Sequence, residues 1–152
     1  MKLAEALQER ADLNRSIEQL RSRIQMNVLV QEGEKPAEDP QRLIKELEES
    51  LARLEELICK INLTNCKTVV DGQTLTELIA KKDVLKLRQS ALRDIIYSAS
   101  QSTHRARNTE IKIQPVVSVE KLQKQSDAAA KQLRLLENQI QQANWLTDLI
   151  ES

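Results

Sequence analysis

Polar side chains occupy several positions where a heptad pattern would otherwise place aliphatic residues. Arg10, Asn65 and Lys82 lie in register with the leucines and isoleucines of three predicted helices. Charged and amide groups are costly in an apolar core unless a partner satisfies them. At a rise of ~1.5 Å per residue, these positions and their polar neighbours fall within about two helical turns of one end of a bundle. The sequence therefore predicts a polar layer composed of Arg10, Asn62, Asn65, Lys82, Asp83, Asn144 and Trp145.

Two interpretations of this polar layer remain open. In the first, the layer fixes helix register and oligomeric state, as a buried asparagine does in coiled coils. In the second, it is a small binding site with Trp145 as its apolar wall. The register role is favoured because it is the best-attested use of polar groups in helical cores.

Catalysis in the same layer has the least support. The chain contains no glycine-rich phosphate loop, no nucleophile elbow and no histidine beside a convincing nucleophile. An enzyme would have to work with Asn62, Asn65, Arg10 and Asp83 alone. We therefore expect no catalytic residues, no enzymatic activity and no cofactor.

A basic cluster follows the third predicted helix. Residues 66–108 carry eight Lys and Arg against four Asp and Glu, whereas residues 26–39 carry four acidic residues and one basic residue. A cluster of this kind can bind phosphate or nucleic acid, but Tyr97 is the only aromatic side chain nearby that could stack on a base. The candidate anion patch contains His104, Arg105, Arg107 and Lys112.

The alternative for this anion patch is local neutralisation. Glu32, Glu34, Glu38 and Asp39 lie in the connection that should reach the same end of the bundle. Most charge clusters are solvated or paired in this way. Nucleic acid is therefore the less favoured partner.

Metal binding and disulfide formation are not expected. Cys59 and Cys66 are the only cysteines, and His104 is the only histidine. On one helix the two cysteines would lie ~10 Å apart along the axis, which is beyond the reach of a disulfide. The set is also too small for a structural zinc site.

The N-terminal region and the hydropathy pattern favour a cytoplasmic location. Charged residues recur every few positions in MKLAEALQERADLN, unlike the apolar core of a signal peptide. No segment approaches the ~20 apolar residues of a membrane-spanning helix. We therefore expect no association with a membrane.

Composition and periodicity predict a mainly α fold. The 152 residues include no Phe, two Gly and three Pro, and 30% of them are charged, which is typical of long helices and coiled coils. Four segments place apolar residues at alternating steps of three and four, which favours helices packed at shallow crossing angles. The prediction is a single domain, 1–152, built as an antiparallel bundle of about four long, coiled-coil-like helices over residues 2–25, 40–65, 74–101 and 118–150.

The helix boundaries carry recognisable signals. Asp39 and Pro40 supply an N-cap acceptor and a proline at the first helical position. Thr74 has a glutamate three positions later, the spacing of a capping box, and Ser118 is a candidate cap for the last helix. Asp71-Gly72 predicts a tight turn.

Two connections alternate apolar and polar residues. This pattern predicts short strands over residues 26–31 and 109–114. If the helices run up, down, up and down, both connections fall at the same end of the bundle, where the strands can pair. The fold should therefore include a small two-stranded β element at one end.

The ordered motifs VQEGEKPAEDP, INLTN, DGQTLTELIAKKD, RNTEIK and QQANWLTDL resemble a family of small bacterial proteins of unknown function. Some members of that family carry the label septicolysin, and no established activity accompanies it. The resemblance covers essentially the whole chain. It implies a long-helix protein with a small β element that assembles as a ring-like homo-oligomer, for which a hexamer is a candidate. The label suggests a cytolysin, yet this sequence shows neither an export signal nor an unbroken apolar helix.

Two functions follow from these observations. The favoured one is a cytoplasmic, self-assembling helical protein that acts as a structural or interaction scaffold without catalysis. The alternative is a protein that binds nucleic acid or a phosphate ligand through the anion patch around Arg105 and Arg107.

Overall fold

The computed structural model describes residues 1–103 and 111–152. Within these ranges the chain forms four α-helices and a small two-stranded antiparallel sheet, so the predicted fold class is confirmed. A 3₁₀ turn at Ser100–Thr103 follows the third helix. In chain order the elements are α1 (Leu3–Asn27), α2 (Pro40–Lys67), β1 (Val69–Val70), β2 (Gln73–Thr74), α3 (Leu75–Ala99) and α4 (Val119–Leu146).

The helix caps predicted at Asp39 and Ser118 are confirmed. The Asp39 carboxylate accepts a hydrogen bond from the Gln41 N–H at 3.0 Å, and Pro40 is the first residue of α2. The Ser118 hydroxyl accepts one from the Lys121 N–H at 3.3 Å, directly before α4. Caps of this kind satisfy N–H groups that have no partner inside the helix.

The sheet is a hairpin at a position that the sequence does not predict. Val69 pairs with Thr74 and Val70 with Gln73. Asp71 and Gly72 between them have φ angles of 49° and 82°. Two successive positive φ angles suit a two-residue hairpin turn, so the tight turn predicted at Asp71-Gly72 is confirmed.

The strands predicted over residues 26–31 and 109–114 are wrong wherever the structure describes them. Residues 26 and 27 belong to α1, and neither 28–31 nor 111–114 forms a strand. Residues 109 and 110 lie outside the described part of the chain. Pairing these distant segments would require closure of a long loop, whereas the hairpin joins neighbours through two residues.

Asn27 explains why α1 extends into the first predicted strand. Its Nδ2 donates to the Arg23 carbonyl oxygen at 2.7 Å, and its Oδ1 accepts from the Glu38 N–H at 3.0 Å. The buried amide therefore satisfies the helix end and the start of the following loop together. These bonds favour a helix where the short alternation alone favoured a strand.

The packing groups the chain into two compact units. Unit 1 comprises Met1–Thr74 and Ala143–Ser152, and unit 2 comprises Leu75–Gln142. The boundary in the second half of the chain falls inside α4.

In unit 1, α1 and α2 form an antiparallel hairpin. Arg53, midway along α2, meets Glu9 in the first third of α1, and Arg23, near the end of α1, meets Glu38 just before α2. The buried side chains of α1 follow the predicted heptad spacing, whereas in α2 the stripe through Leu43 and Leu57 is buried and the heptad positions Leu51 and Ile58 are exposed. The core of this unit includes Leu3, Ala6, Ile17, Leu20, Leu43, Leu57, Ile61 and Leu149.

The two ends of the chain pair with each other in unit 1. The Leu3 N–H donates to the Thr147 carbonyl and the Leu149 N–H to the Met1 carbonyl, both at 2.9 Å. Lys2 and Asp148 form an antiparallel bridge, and their side chains form an ion pair at 2.8 Å. We call this arrangement the terminal clasp, defined as Met1–Leu3 with Thr147–Leu149.

In unit 2, α3 lies beside the part of α4 that belongs to this unit. Leu85 shares a cavity with Leu136, and Leu92 shares one with Ala129, so the helices run antiparallel. Lys86 and Glu137 form an ion pair between them at 3.7 Å. Buried side chains of this unit include Leu78, Leu85, Ala129, Leu136 and Ile140.

Candidate functional site

The structure distributes the predicted polar layer over both units. In unit 1, Arg10 and Asn65 are half-buried, as is Asn144, whereas Asn62 is exposed and Trp145 is 51% exposed. Lys82, half-buried, and Asp83, exposed, belong to unit 2. A continuous layer joining all seven residues therefore stays a prediction.

The buried polar side chain of the INLTN segment is Thr64. It lies three residues after Ile61 and seven after Leu57, on the same buried stripe, and its side chain is fully buried. Thr64 Oγ1 donates to the Lys60 carbonyl at 2.8 Å and accepts from the Ile150 N–H at 2.9 Å. The hydroxyl thus joins α2 to the C-terminal segment. The heptad register that Thr64 shares with Leu57 and Ile61 is a sequence signal for its burial. The prediction from sequence instead takes the neighbouring asparagines, Asn62 and Asn65, as the polar groups of the core.

A chain of ion pairs links α1, α2 and the C-terminal segment of unit 1. Arg53 donates from Nε and Nη2 to the two carboxylate oxygens of Glu9, at 2.7 and 3.0 Å, and from Nη1 to Glu56 at 3.0 Å. Lys60 Nζ contacts Glu56 at 2.6 Å and Glu151 at 2.7 Å. We call Glu9, Arg53, Glu56, Lys60 and Glu151 the Arg53 chain.

Hydrogen bonds set the ionisation of the Arg53 chain. The Arg53 bonds hold the pKa of Glu9 below its ordinary value. The Lys60 ammonium, followed by Arg53, does the same to the pKa of Glu56. The hydrogen bonds that Arg53 donates to Glu9 and Glu56 raise the pKa of Arg53. The charged forms are therefore mutually stabilised, as expected for a bidentate guanidinium–carboxylate pair.

A second network fixes the loop between α1 and α2. Arg23 Nε donates to Glu38 at 3.0 Å, and a second guanidinium nitrogen contacts the other carboxylate oxygen. Arg42 approaches Glu38 at 3.6 Å and Glu46 at 3.0 Å. The Arg23 bond lowers the pKa of Glu38. The sequence offered Glu38 as a partner of the anion patch, and its carboxylate here is engaged by arginines of unit 1.

An open polar groove of about 370 Å³ lies between the two networks, along one side of α1 and α2. Arg23 and Arg53 line it, but both guanidinium groups are already paired with carboxylates. The rest of its wall includes Ser16, Gln19, Glu46, Glu49 and Ser50. Because both arginines that line it are paired with carboxylates, this groove offers no free guanidinium for an anion among its described lining residues.

Of the predicted anion patch, the structure describes Lys112. His104, Arg105 and Arg107 lie outside the described residues. Lys112 is exposed in the segment before α4.

The two cysteines, Cys59 and Cys66, are free and exposed on α2. Across residues 1–103 and 111–152, no three His, Cys, Asp or Glu side chains gather as a metal-binding group. Among the helices in these ranges, none combines the length and apolar character needed to cross a membrane.

The comparisons with known proteins address the family directly. The profile of a family described as "Family of unknown function (DUF6847)" matches residues 10–149. The chain belongs to this family. The expected membership of a family of unknown function is thereby confirmed, and the description carries no septicolysin label.

A solved structure of similar fold supports the architecture of this DUF6847 member. It is the crystal structure of "a functionally unknown conserved protein from Corynebacterium diphtheriae", 34% identical, with a TM-score of 0.93 over 99% of each chain. No curated protein matches the sequence. Neither of the two matches states an activity or a ligand.

The remaining candidate for function in this DUF6847 chain is its apolar surface. At the end of α1 and just beyond it, the segment at residues 26–30 exposes Met26, Val28, Leu29 and Val30, and Leu29 is 86% exposed. In unit 2, Ile111, Ile113, Val116 and Val117 are exposed before α4. Contiguous exposed apolar side chains are uncommon on small monomeric proteins and commonly mark interaction surfaces.

Proposed function

We propose that this protein is a self-assembling helical scaffold of the cytoplasm that has no catalytic activity. The observation that carries the proposal is the exposed segment at residues 26–30, where four apolar side chains in five positions face solvent. The expected product is a homo-oligomer.

The energetics of this segment favour association. Burial of one exposed Leu or Val side chain contributes about 1.5–3 kcal/mol. The start of the segment is also held in place, because the Asn27 side chain bonds to the Arg23 carbonyl and to the Glu38 N–H. A surface fixed in this way loses less conformational entropy on binding than a flexible one.

The polar side chains of unit 1 support a scaffold rather than an enzyme. The guanidinium groups of Arg23 and Arg53 join helices to each other and to the loop between them. Thr64, which is buried, uses its hydroxyl to anchor the C-terminal segment. The guanidinium groups and the Thr64 hydroxyl are therefore already engaged in contacts that stabilise the fold.

Light scattering after size-exclusion chromatography tests this proposal. At micromolar concentration we expect a mass that is a multiple of the 17.4 kDa chain. The triple substitution Val28→Ser, Leu29→Ser and Val30→Ser should lower that mass. Substitution of the neighbouring exposed residues, Gln31→Ser with Glu32→Ser, is the matched control and should leave it unchanged. A parent protein that remains monomeric at every concentration tested overturns the proposal.

A further inference from the structure

A continuous groove runs along one side of α3 and α4 in unit 2. The groove consists of three adjoining cavities of about 460, 420 and 200 Å³. Arg88 lines both the first and the second cavity, and Leu85 lines both the second and the third. Apolar side chains, including Leu92, Ala129 and Leu136, form much of its wall. A long apolar groove between two helices is a shape that accepts an amphipathic helix.

The charged side chains that line this groove are basic. Lys81 and Arg88, seven residues apart on α3, line it, and the facing positions of α4 carry glutamines. Within the described part of the chain neither cation has an ion-pair or hydrogen-bond partner. Lys86, on the opposite side of α3, pairs with Glu137. The groove is therefore apolar with an unneutralised basic edge.

One flank of α2 in unit 1 has the complementary pattern. Leu51 and Ile58 are 40% and 39% exposed on this flank, seven residues apart. Glu48 and Glu55, also seven apart, lie on the same side of the helix and have no ion-pair partner in residues 1–103 or 111–152. By contrast, Glu56 on the other side of α2 belongs to the Arg53 chain.

We propose that the α3–α4 groove of one copy of this chain receives the α2 flank of a second copy. Seven residues on a helix span ~10.5 Å, so Glu48 and Glu55 are spaced to meet Lys81 and Arg88 while Leu51 and Ile58 enter the groove. The inference rests on the proposed self-assembly and specifies one of its contacts. Because donor and acceptor surfaces differ, the contact is head-to-tail and can repeat from copy to copy.

Charge reversal on each surface provides the test. The groove variant, Lys81→Glu with Arg88→Glu, and the flank variant, Glu48→Lys with Glu55→Arg, should each weaken self-association by about tenfold or more, measured by analytical ultracentrifugation. Mixing the two variants should restore assembly, because each variant then meets opposite charges on the other. The control Lys131→Glu with Arg134→Glu, on α4 away from the groove, should assemble like the parent.

The outcomes separate this inference from the proposed function. A monomeric parent protein removes both. An oligomeric parent whose two variants still assemble, or fail to rescue each other on mixing, overturns the groove contact and leaves self-assembly standing. Dissociation of the groove variant alone assigns the groove to another occupant, such as the segment at residues 26–30, and overturns the α2 flank as its ligand.

Discussion

Units 1 and 2 each contain a pair of long helices, but they join those helices by different means. Unit 1 combines a buried apolar stripe with the Arg53 chain, the Arg23–Glu38 pair and the terminal clasp. Unit 2 places the Lys86–Glu137 pair at 3.7 Å between its helices and leaves an open groove beside them. The contrast indicates that the helix pair of unit 1 is joined by more polar contacts, whereas the helix pair of unit 2 has an open groove along one side.

Core truncation should give the largest difference between the units. Leu57→Ala in unit 1 removes a side chain that is fully buried, so we expect a loss of about 3–5 kcal/mol in the free energy of unfolding. Leu136→Ala in unit 2 borders the open groove and should cost about 2 kcal/mol, since water can enter the space that it leaves. Urea unfolding measures both. An equal or larger loss for Leu136→Ala would contradict the contrast between the units.

Removal of the Thr64 hydroxyl should have the next largest effect on the free energy of unfolding. Thr64→Val removes the acceptor of the Ile150 N–H, and an unsatisfied buried group costs about 1–3 kcal/mol. Thr64→Ser keeps the oxygen and serves as the control, with a smaller loss. Hydrogen exchange at Ile150 reports the bond directly. Unchanged protection of that amide in the valine variant would show that the hydroxyl does not anchor the C-terminal segment.

Acid should weaken unit 1 through the Arg53 chain. The pKa of Glu9 is lowered in the folded state by its hydrogen bonds from Arg53, below an unfolded value of about 4.3. Its contribution to stability is therefore complete above that value and is lost as pH falls through the lowered pKa. Glu9→Gln should reduce the decline in melting temperature between about pH 5 and pH 2. Glu137→Gln in unit 2 is the matched control. If it reduces the decline in melting temperature as much as Glu9→Gln does, the acid sensitivity does not arise from the Arg53 chain.

Charge reversal in the predicted anion patch should have the smallest effect on the free energy of unfolding. Arg105→Glu with Arg107→Glu changes two charges that lie outside the described residues, and we expect the free energy of unfolding to change by less than about 0.5 kcal/mol. We expect the parent protein to bind no generic oligonucleotide at ~0.1 M salt. Fluorescence anisotropy checks this expectation. Salt-dependent binding that the double substitution abolishes would favour the alternative function.

The sequence predicts local structure well because helix signals are local. Heptad spacing locates all four helices, and Asp39-Pro40 and Ser118 mark two of their starts. The sequence predicts the turn at Asp71-Gly72 but not the two strands that flank it. Each strand has only two residues, which is too short to show the alternation of apolar and polar side chains. The strand pattern at residues 26–31 failed because the Asn27 amide prolongs α1.

Interactions between distant residues account for what the sequence does not predict. Glu9 and Arg53 are 44 positions apart, and Thr64 and Ile150 are 86 apart. No periodicity in one segment specifies such a partner in another. For the same reason, the sequence predicts Arg10 and Asn65 as members of a layer but does not identify the groups that surround them.

The terminal clasp has a consequence for biosynthesis. Unit 1 consists of two stretches separated by the whole of unit 2, and its Leu3 and Met1 backbone groups bond to residues 147 and 149. A ribosome therefore completes the α1–α2 hairpin long before it supplies the segment that covers the hairpin's end. In the nascent chain, the Thr64 hydroxyl therefore lacks the Ile150 N–H that it binds in the complete protein. Unit 1 reaches its final form only after unit 2 has been translated.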